Sequence, residues 1–328
     1  MKYLFFVVNL LCLFFIWRIW LNGPQSYDLI WTGADMCSSQ HYAKKINHSR
    51  KIYMITPTYK RDVRKAEMTR LAQTLINVPN FHWIVVEDGK ATDPVVRRLL
   101  ERLNLNFTYI FEPKPTIKNI TARGFSQRNK ALALLKEKYD ENLAEAWNTV
   151  VYFGDDDNTY DLRLFNEMRK IRKIIFNIFI IGMWPVAFCG GLKLEKLFVR
   201  NGTLTGFDVW WARKSRFRID MAGFAINLGY LLTKSPRLPR FLHRGSIETS
   251  FLQQFLKNYG DIEPINLKKI KISSNDDDGR EIEEDDDDDD RKMNEVLVWH
   301  TKTKKLDLVY EKNYSRHFKI PSDYGWEI

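Results

Sequence analysis

Three consecutive aspartates, Asp155, Asp156 and Asp157, follow the apolar run Val150 to Phe153 after a single glycine, Gly154. Carboxylate oxygens at a strand end suit a hard divalent cation such as Mg²⁺, Mn²⁺ or Ca²⁺, and such a cation can bridge phosphate oxygens. The chemistry that needs this is the departure of a diphosphate, whose growing negative charge must be neutralised as the bond to it breaks. Asp88 closes a second apolar run, where an acid can accept hydrogen bonds from a base or a ribose. Arg123 and Arg128 flank Gly124-Phe-Ser-Gln127 ahead of a helix, where cations and N-terminal amides can hold an anion. Taken singly, an acidic triplet is equally a surface turn, and each arginine is more often a surface ion pair. The apolar strand directly before the triplet raises it above that background. A metal-dependent phosphohydrolase would rest on the triplet alone. The chain has no Walker A loop, Gly-x-Ser-x-Gly elbow or His-Glu-x-x-His helix.

The elements that must position these groups alternate. Lys51 to Ile55 reads as a buried strand ending at Thr56-Pro57-Thr58-Tyr59, and Ala66, Leu71 and Leu75 mark a following helix. The pattern continues as strand His82 to Val86, helix Pro94 to Leu103, strand Phe107 to Phe111, helix Arg128 to Lys138 and strand Val150 to Phe153. Such alternation predicts a mostly parallel sheet covered on both faces, with ligands beyond the carboxyl ends of the strands. Pro57-Thr58-Tyr59, Asp88 and Asp155 to Asp157 all fall at those ends. Beyond Gly190-Gly191 the rhythm loosens into a mixed lobe with a helix from Ser246 to Lys257 and a strand from Val296 to Trp299. The expected fold class is therefore α/β. Its expected organisation is a first lobe over 51–194 and a mixed second lobe over 195–328.

Met1-Lys2 precedes the apolar run Tyr3 to Leu21, long enough to span a bilayer with Arg18 snorkelling to one interface. Bulky Trp17, Arg18 and Trp20 stand where a cleaved signal peptide needs small residues, so 3–21 reads as a signal anchor with a two-residue cytoplasmic tail. Residues 22–50 read as a stem. N-x-Ser/Thr triplets at Asn47, Asn106, Asn119, Asn201 and Asn313 agree with a lumenal catalytic part. Cys12, Cys37 and Cys189 are too few for a disulfide framework, and Cys37 is either an intermolecular bridge or an unpaired stem thiol. The window 276–290 carries twelve of the 41 acidic residues and one arginine, leaving 50 basic and 29 acidic residues elsewhere. That window is expected to be a solvated, disordered loop. The rest is basic enough to favour an anionic partner: nucleic acid, a lipid surface, or a phosphorylated or carboxylated small molecule.

Eight ordered segments add a resemblance. ITPTYKR (55–61), WIVVEDG (83–89), RGFSQRNKAL (123–132), VVYFGDDDNTY (150–160), WPVAFCGGLKLE (184–195), IDMAGFAINL (219–228), RGSIETSFL (244–252) and VLVWHTKT (296–303) resemble the motifs of the β-1,3-glucuronyltransferases, over 52 to about 305. The resemblance implies a GT-A fold with a Rossmann-like donor lobe and a mixed acceptor lobe. It implies a type II Golgi membrane protein, Mn²⁺ as cofactor, UDP-glucuronate as donor and inverting transfer to the 3-hydroxyl of a terminal galactose. It further implies a homodimer and no nucleic-acid partner. Carried over by residue, Pro57, Thr58, Tyr59, Asp88, Arg123 and Arg128 would hold the UDP part, with Asp155 and Asp156 against the donor. Asp157 would bind the metal, and His300, Thr301 and Lys302 would meet the phosphates. Glu248 would be the general base, with Glu195, Trp211 and Asp220 on the acceptor side.

Read without the resemblance, Glu248 is a capping or surface helix residue and Trp211 a core residue. Three features depart from the family pattern. Lys302 stands where an arginine is usual, replacing a bidentate fork by a point charge. Ser215 stands at an acceptor-side arginine, with Arg216 adjacent. Residues 173–183 form a longer, more apolar link than expected, and the acidic window is also extra. These departures keep a second reading open, a catalytically weak paralogue that binds sugar nucleotide or glycan.

Overall fold

The computed structural model describes residues 50–115, 123–171, 180–209, 215–239, 247–265 and 295–301, with 271–272, 282–283, 303, 315–317 and 319. The apolar run 3–21, nearly all of the stem with Cys37, and Trp211 and Lys302 lie outside the described residues. Among the described residues no helix is long and apolar enough to cross a membrane.

The first half of the chain builds strand β1 (Lys51–Thr58), helix α1 (Arg64–Leu75), β2 (Phe81–Glu87), α2 (Pro94–Glu101), β3 (Asn106–Phe111), α3 (Phe125–Tyr139), α4 (Leu143–Trp147) and β4 (Thr149–Phe153). Strand β5 (Thr159–Tyr160), helix α5 (Leu162–Lys170), β6 (Ile181–Met183), β7 (Val186–Ala187), β8 (Leu194–Arg200) and β9 (Thr203–Asp208) follow. The last elements are β10 (Phe224–Asn227), α6 (Leu228–Lys234), α7 (Ile247–Leu252), β11 (Ile262–Pro264), β12 (Lys271–Ile272), β13 (Ile282–Glu283) and β14 (Val298–Trp299).

Seven strands make the main sheet in the order β11-β6-β10-β4-β1-β2-β3. Strands β4, β1, β2 and β3 run parallel, β10 is antiparallel to both β4 and β6, and β11 is parallel to β6. Alternation along the central strands sorts side chains to the two faces. Tyr53, Ile55, Ile84, Val86, Val151 and Phe153 enter one core with α3, α6 and α7. Ile52, Met54, Trp83, Val85, Val150 and Tyr152 enter the other with α1, α2 and α5. Both faces are thus covered, which is why these strands read as near-continuous apolar runs. Trp83, fully buried, satisfies its one polar atom by donating Nε1–H to Thr56 Oγ1 at 2.9 Å.

Proline inside central β1 is tolerated for a local reason. Ile55 accepts Gly154 N–H at 3.1 Å on the edge facing β4, and Pro57, two residues on, shares that edge. Strand β4 has ended by then, so no ladder bond is missing there. Helix α2 starts where its chemistry places it: Asp93 accepts from Val95 N–H at 2.8 Å and Pro94 occupies the first turn.

Two expectations change. The helix expected over Ser246 to Lys257 stops at Leu252, because Gln254 and Phe255 N–H turn back to Phe251 and Leu252 carbonyls three residues earlier, tightening the chain into turns. The apolar link after Arg172 is not all an addition between lobes. Ile181 to Met183 form β6, fully buried between β10 and β11.

The second sheet has the order β5-β14-β7-β8-β9. It carries Glu195 on β8 opposite Val186, and sets His300 directly after β14. Within the acidic window, Ile282–Glu283 pairs with Lys271–Ile272, and the remainder lies outside the described residues.

Candidate active site

The carboxyl ends of β1, β2 and β4 converge as the parallel topology requires. Leaving β4, the chain passes Gly154, where a Cβ would meet Met54 Cε at 2.0 Å and Tyr160 Oη at 3.0 Å. Only glycine lets the chain turn there with Tyr160 donating its hydroxyl to Asp155 O at 3.0 Å.

Each aspartate of the triplet then has different company. Asp155 accepts from Arg128 Nη2 at 2.5 Å, and Arg128 also donates to Arg123 O at 3.1 Å. Gly124 makes that closeness possible. Its φ is +67°, and a Cβ would stand 2.5 Å from Arg128 Nη1 and 3.1 Å from Pro57 Cγ. The buried Arg128 Nε meets no acceptor among the described residues.

Asp156 is buried and held on both oxygens. Arg61 spans it with a fork, Nη2 to Oδ1 at 2.8 Å and Nη1 to Oδ2 at 2.9 Å, and Thr58 Oγ1 donates to Oδ2 at 2.6 Å. Arg61 also grips Glu67, with its guanidinium carbon 4.8 Å from the ring centre of exposed Tyr59. Asp157 differs. Its backbone carbonyl accepts from Arg70 and Thr301, at 2.7 and 2.5 Å, while no hydrogen bond among the described residues engages its carboxylate. Burial first, then the charges of Asp155 and Asp156, push that carboxyl up to about 6. A partly buried acid crowded by two others and lacking a donor is a good fit for a cation, which would replace the missing positive charge.

The other sequence-expected residues divide. Asp88 is exposed, its N–H donating to Thr58 O at 2.7 Å and its Oδ1 accepting from Lys114 N–H at 2.7 Å. Asp220 uses Oδ1 to cap Ala222 N–H at 2.9 Å; its Oδ2 takes the Cys189 thiol at 3.2 Å and lies 3.7 Å from His300 Nδ1. Glu195 is fully buried near Cys189. Glu248, in the first turn of α7, is half-buried, and its carboxyl is pushed up to about 8 by desolvation and then by Asp220; Arg128 acts the other way. Thr301 donates to Asp157 O and lies 3.3 Å from Thr159 Oγ1. Arg216 makes its contacts elsewhere, donating to Lys257 O and lying over Phe217 and Tyr259.

Sequence reasoning gave Arg61 and Cys189 no role, yet both touch the site. Arg61 lies inside the ITPTYKR segment, and that adjacency was the available signal. Cys189 likewise lies inside the WPVAFCGGLKLE segment, but only the approach of β7 to Asp220 brings its thiol to a carboxylate.

A mixed, mostly parallel α/β sheet with cations and a carboxylate cluster at its carboxyl edge, beside a second group of acids, is the arrangement of the GT-A glycosyltransferase fold. The glycosyltransferase family 43 profile matches residues 71–275, and the chain belongs to that family. Galactosylgalactosylxylosylprotein 3-beta-glucuronosyltransferase 1 of Homo sapiens is 38% identical over 270 residues, covering 79% of this chain and 71% of that protein. The human 3-beta-glucuronosyltransferase 2 is 37% identical over 265 residues, covering 80% and 72%. Among solved structures, Staphylococcus aureus TarS 1–349 in complex with UDP-GlcNAc is 14% identical with a TM-score of 0.41. The match covers 78% of this chain and 60% of that one. The protein is a glycosyltransferase.

Proposed function

We propose that this enzyme transfers glucuronate from UDP-glucuronate to the 3-hydroxyl of a terminal galactose on a glycan, with inversion, as in building a proteoglycan linkage region. The observation that carries this reading is the division of labour among the acids. One carboxyl, Glu248, is raised to about 8 beside Asp220 and Glu195, whereas Asp155 and Asp156 are each held by an arginine. A single displacement needs one base and one site for a leaving diphosphate. Glu248 takes the proton of the acceptor hydroxyl, and Asp220 and Glu195 accept hydrogen bonds from the other hydroxyls of the sugar. Arg123 and Arg128 hold the donor phosphates at the start of α3, with Asp155 fixed against Arg128. Pro57, Thr58, Tyr59 and Asp88 line the nucleoside side. Asp157 would hold Mn²⁺, which supplies charge neutralisation for the departing UDP.

His300 and Thr301, with Lys302, complete the phosphate side, and Trp211 stacks on the acceptor sugar. The apolar segment 3–21 anchors a type II Golgi protein with a lumenal catalytic part, and Cys37 links a homodimer.

The test uses full-length protein in detergent with Mn²⁺, UDP-glucuronate and a panel of galactosides, with UDP-glucose and UDP-GlcNAc as competing donors. Release of UDP that depends on a terminal β-galactoside and on glucuronate as the transferred sugar is expected. Donor binding by calorimetry with no transfer to any galactoside would establish the weak binding paralogue instead.

A further inference from the structure

We propose that Cys189, Asp220 and His300 form a second cation site, separate from Asp157, that takes a thiophilic divalent ion of the zinc class and blocks transfer when filled. One sulfur, one carboxylate oxygen and one imidazole nitrogen lie within 4.8 Å of one another. A tetrahedral centre with bonds of about 2.0–2.3 Å sets neighbouring ligand atoms roughly 3.3–3.8 Å apart. The sulfur stands 3.2 Å and the nitrogen 3.7 Å from the same Asp220 Oδ2, so two of the three edges already have close to that length.

The backbone holds the three groups in place. Cys189 opens a tight turn after β7, its carbonyl accepting Leu192 N–H at 2.9 Å, and Phe188 N–H donates to Lys193 O at 3.0 Å. His300 is pinned by its N–H on Ala187 O at 2.9 Å, and Asp220 by its Oδ1 on Ala222 N–H. An independent observation points to a ligand. His300 Nδ1 is buried, faces Asp220 and makes no hydrogen bond among the described residues. A buried ring nitrogen without a partner forfeits a hydrogen bond, and coordination would supply that missing partner.

The donor set selects the ion. A soft thiolate disfavours Mg²⁺, Ca²⁺ and Mn²⁺, while sulfur, imidazole and carboxylate together are a zinc-type set with one position left for water. On binding, the Cys189 thiol releases its proton to solvent as the sulfur–metal bond forms. Coordination at Nδ1 requires the His300 tautomer with its proton on Nε2. The blocking effect rests on the reading of Asp220 as acceptor-side and His300 as phosphate-side. A filled site would occupy both.

Cobalt(II) is the probe, because its thiolate band in the near ultraviolet needs no enzymatic turnover. Full-length protein titrated with Co²⁺ should develop that band, lose it on addition of equimolar Zn²⁺, and fail to develop it in Cys189→Ser, which also controls for Cys12 and Cys37. His300→Ala, which keeps the thiol, should bind Co²⁺ at least tenfold more weakly. At saturating Mn²⁺, zinc should cut wild-type transfer at least tenfold, with that ratio collapsing toward one in Cys189→Ser. Absence of the band, or equal cobalt affinity in wild type and both variants, overturns the site. The band together with transfer insensitive to zinc overturns the block. A protein inactive with every galactoside would sink the functional reading and leave the cobalt result to decide the site.

Discussion

The proposed donor and acceptor sides of the site differ in how their acids are paired. Within the aspartate triplet each carboxylate but one has a cation: Arg128 on Asp155, and Arg61 with Thr58 on Asp156. On the acceptor side Asp220 and Glu195 act on Glu248 to raise its carboxyl, and Arg128 acts the other way. Paired carboxylates hold a fixed geometry, which a diphosphate site needs. Glu248, desolvated and facing Asp220, holds its proton more tightly than an ordinary carboxyl, which a base working near neutral pH needs. Asp157 is the exception on the donor side, and its isolation is what a metal would remedy.

The largest effect that sharpens this contrast falls on Glu248. Glu248→Gln should lower kcat by about 10²–10⁴-fold, the usual worth of a general base, read from UDP release at saturating substrates. Because this carboxyl is raised to about 8, the base is ionised only as pH climbs, so kcat/KM should rise with pH through that region and the limb should vanish in the variant. The same shift runs against stability. The folded state binds the extra proton between the ordinary carboxyl range and about 8, so stability falls as pH rises through that window and Glu248→Gln should flatten the fall.

Breaking the donor side should instead show first in folding. Arg61→Ala leaves Asp156 and Glu67 buried without their shared cation, a loss of about 3–5 kcal/mol for a buried pair cut on one side, measured by urea unfolding. An unchanged midpoint would mean that the fork carries no weight. Adding Mn²⁺ at 100 times its dissociation constant should stabilise the protein by about 2.7 kcal/mol. Asp157→Asn should abolish most of that rise in melting temperature. Gly124→Ala is the smallest. Placing a side chain at positive φ costs about 1–2 kcal/mol, and the displaced Arg128 should raise the KM for donor more than it lowers kcat.

Much of the fold could be read along the chain. Residues 51–153 alternate apolar runs with helical stripes, and a strand buried on both faces leaves that signature wherever it sits. The triplet after β4 and Asp88 after β2 announced the working edge, because ligands of parallel α/β sheets bind beyond the carboxyl ends of the strands. The second half was less legible for a physical reason. Its strands β6, β7, β10 and β11 have two to four residues each, too few to show a period, and β6 pairs with β10 and β11 far away in sequence.

By itself, then, the sequence determined the doubly covered parallel sheet and the chemical type of its carboxyl edge, since both follow from local pattern and residue identity. Tertiary structure alone decided which acid has a cation. Arg61 lies 95 residues from Asp156, and Cys189 lies 31 from Asp220. Charge pairing and desolvation depend on distance through space, and no spacing along the chain encodes that.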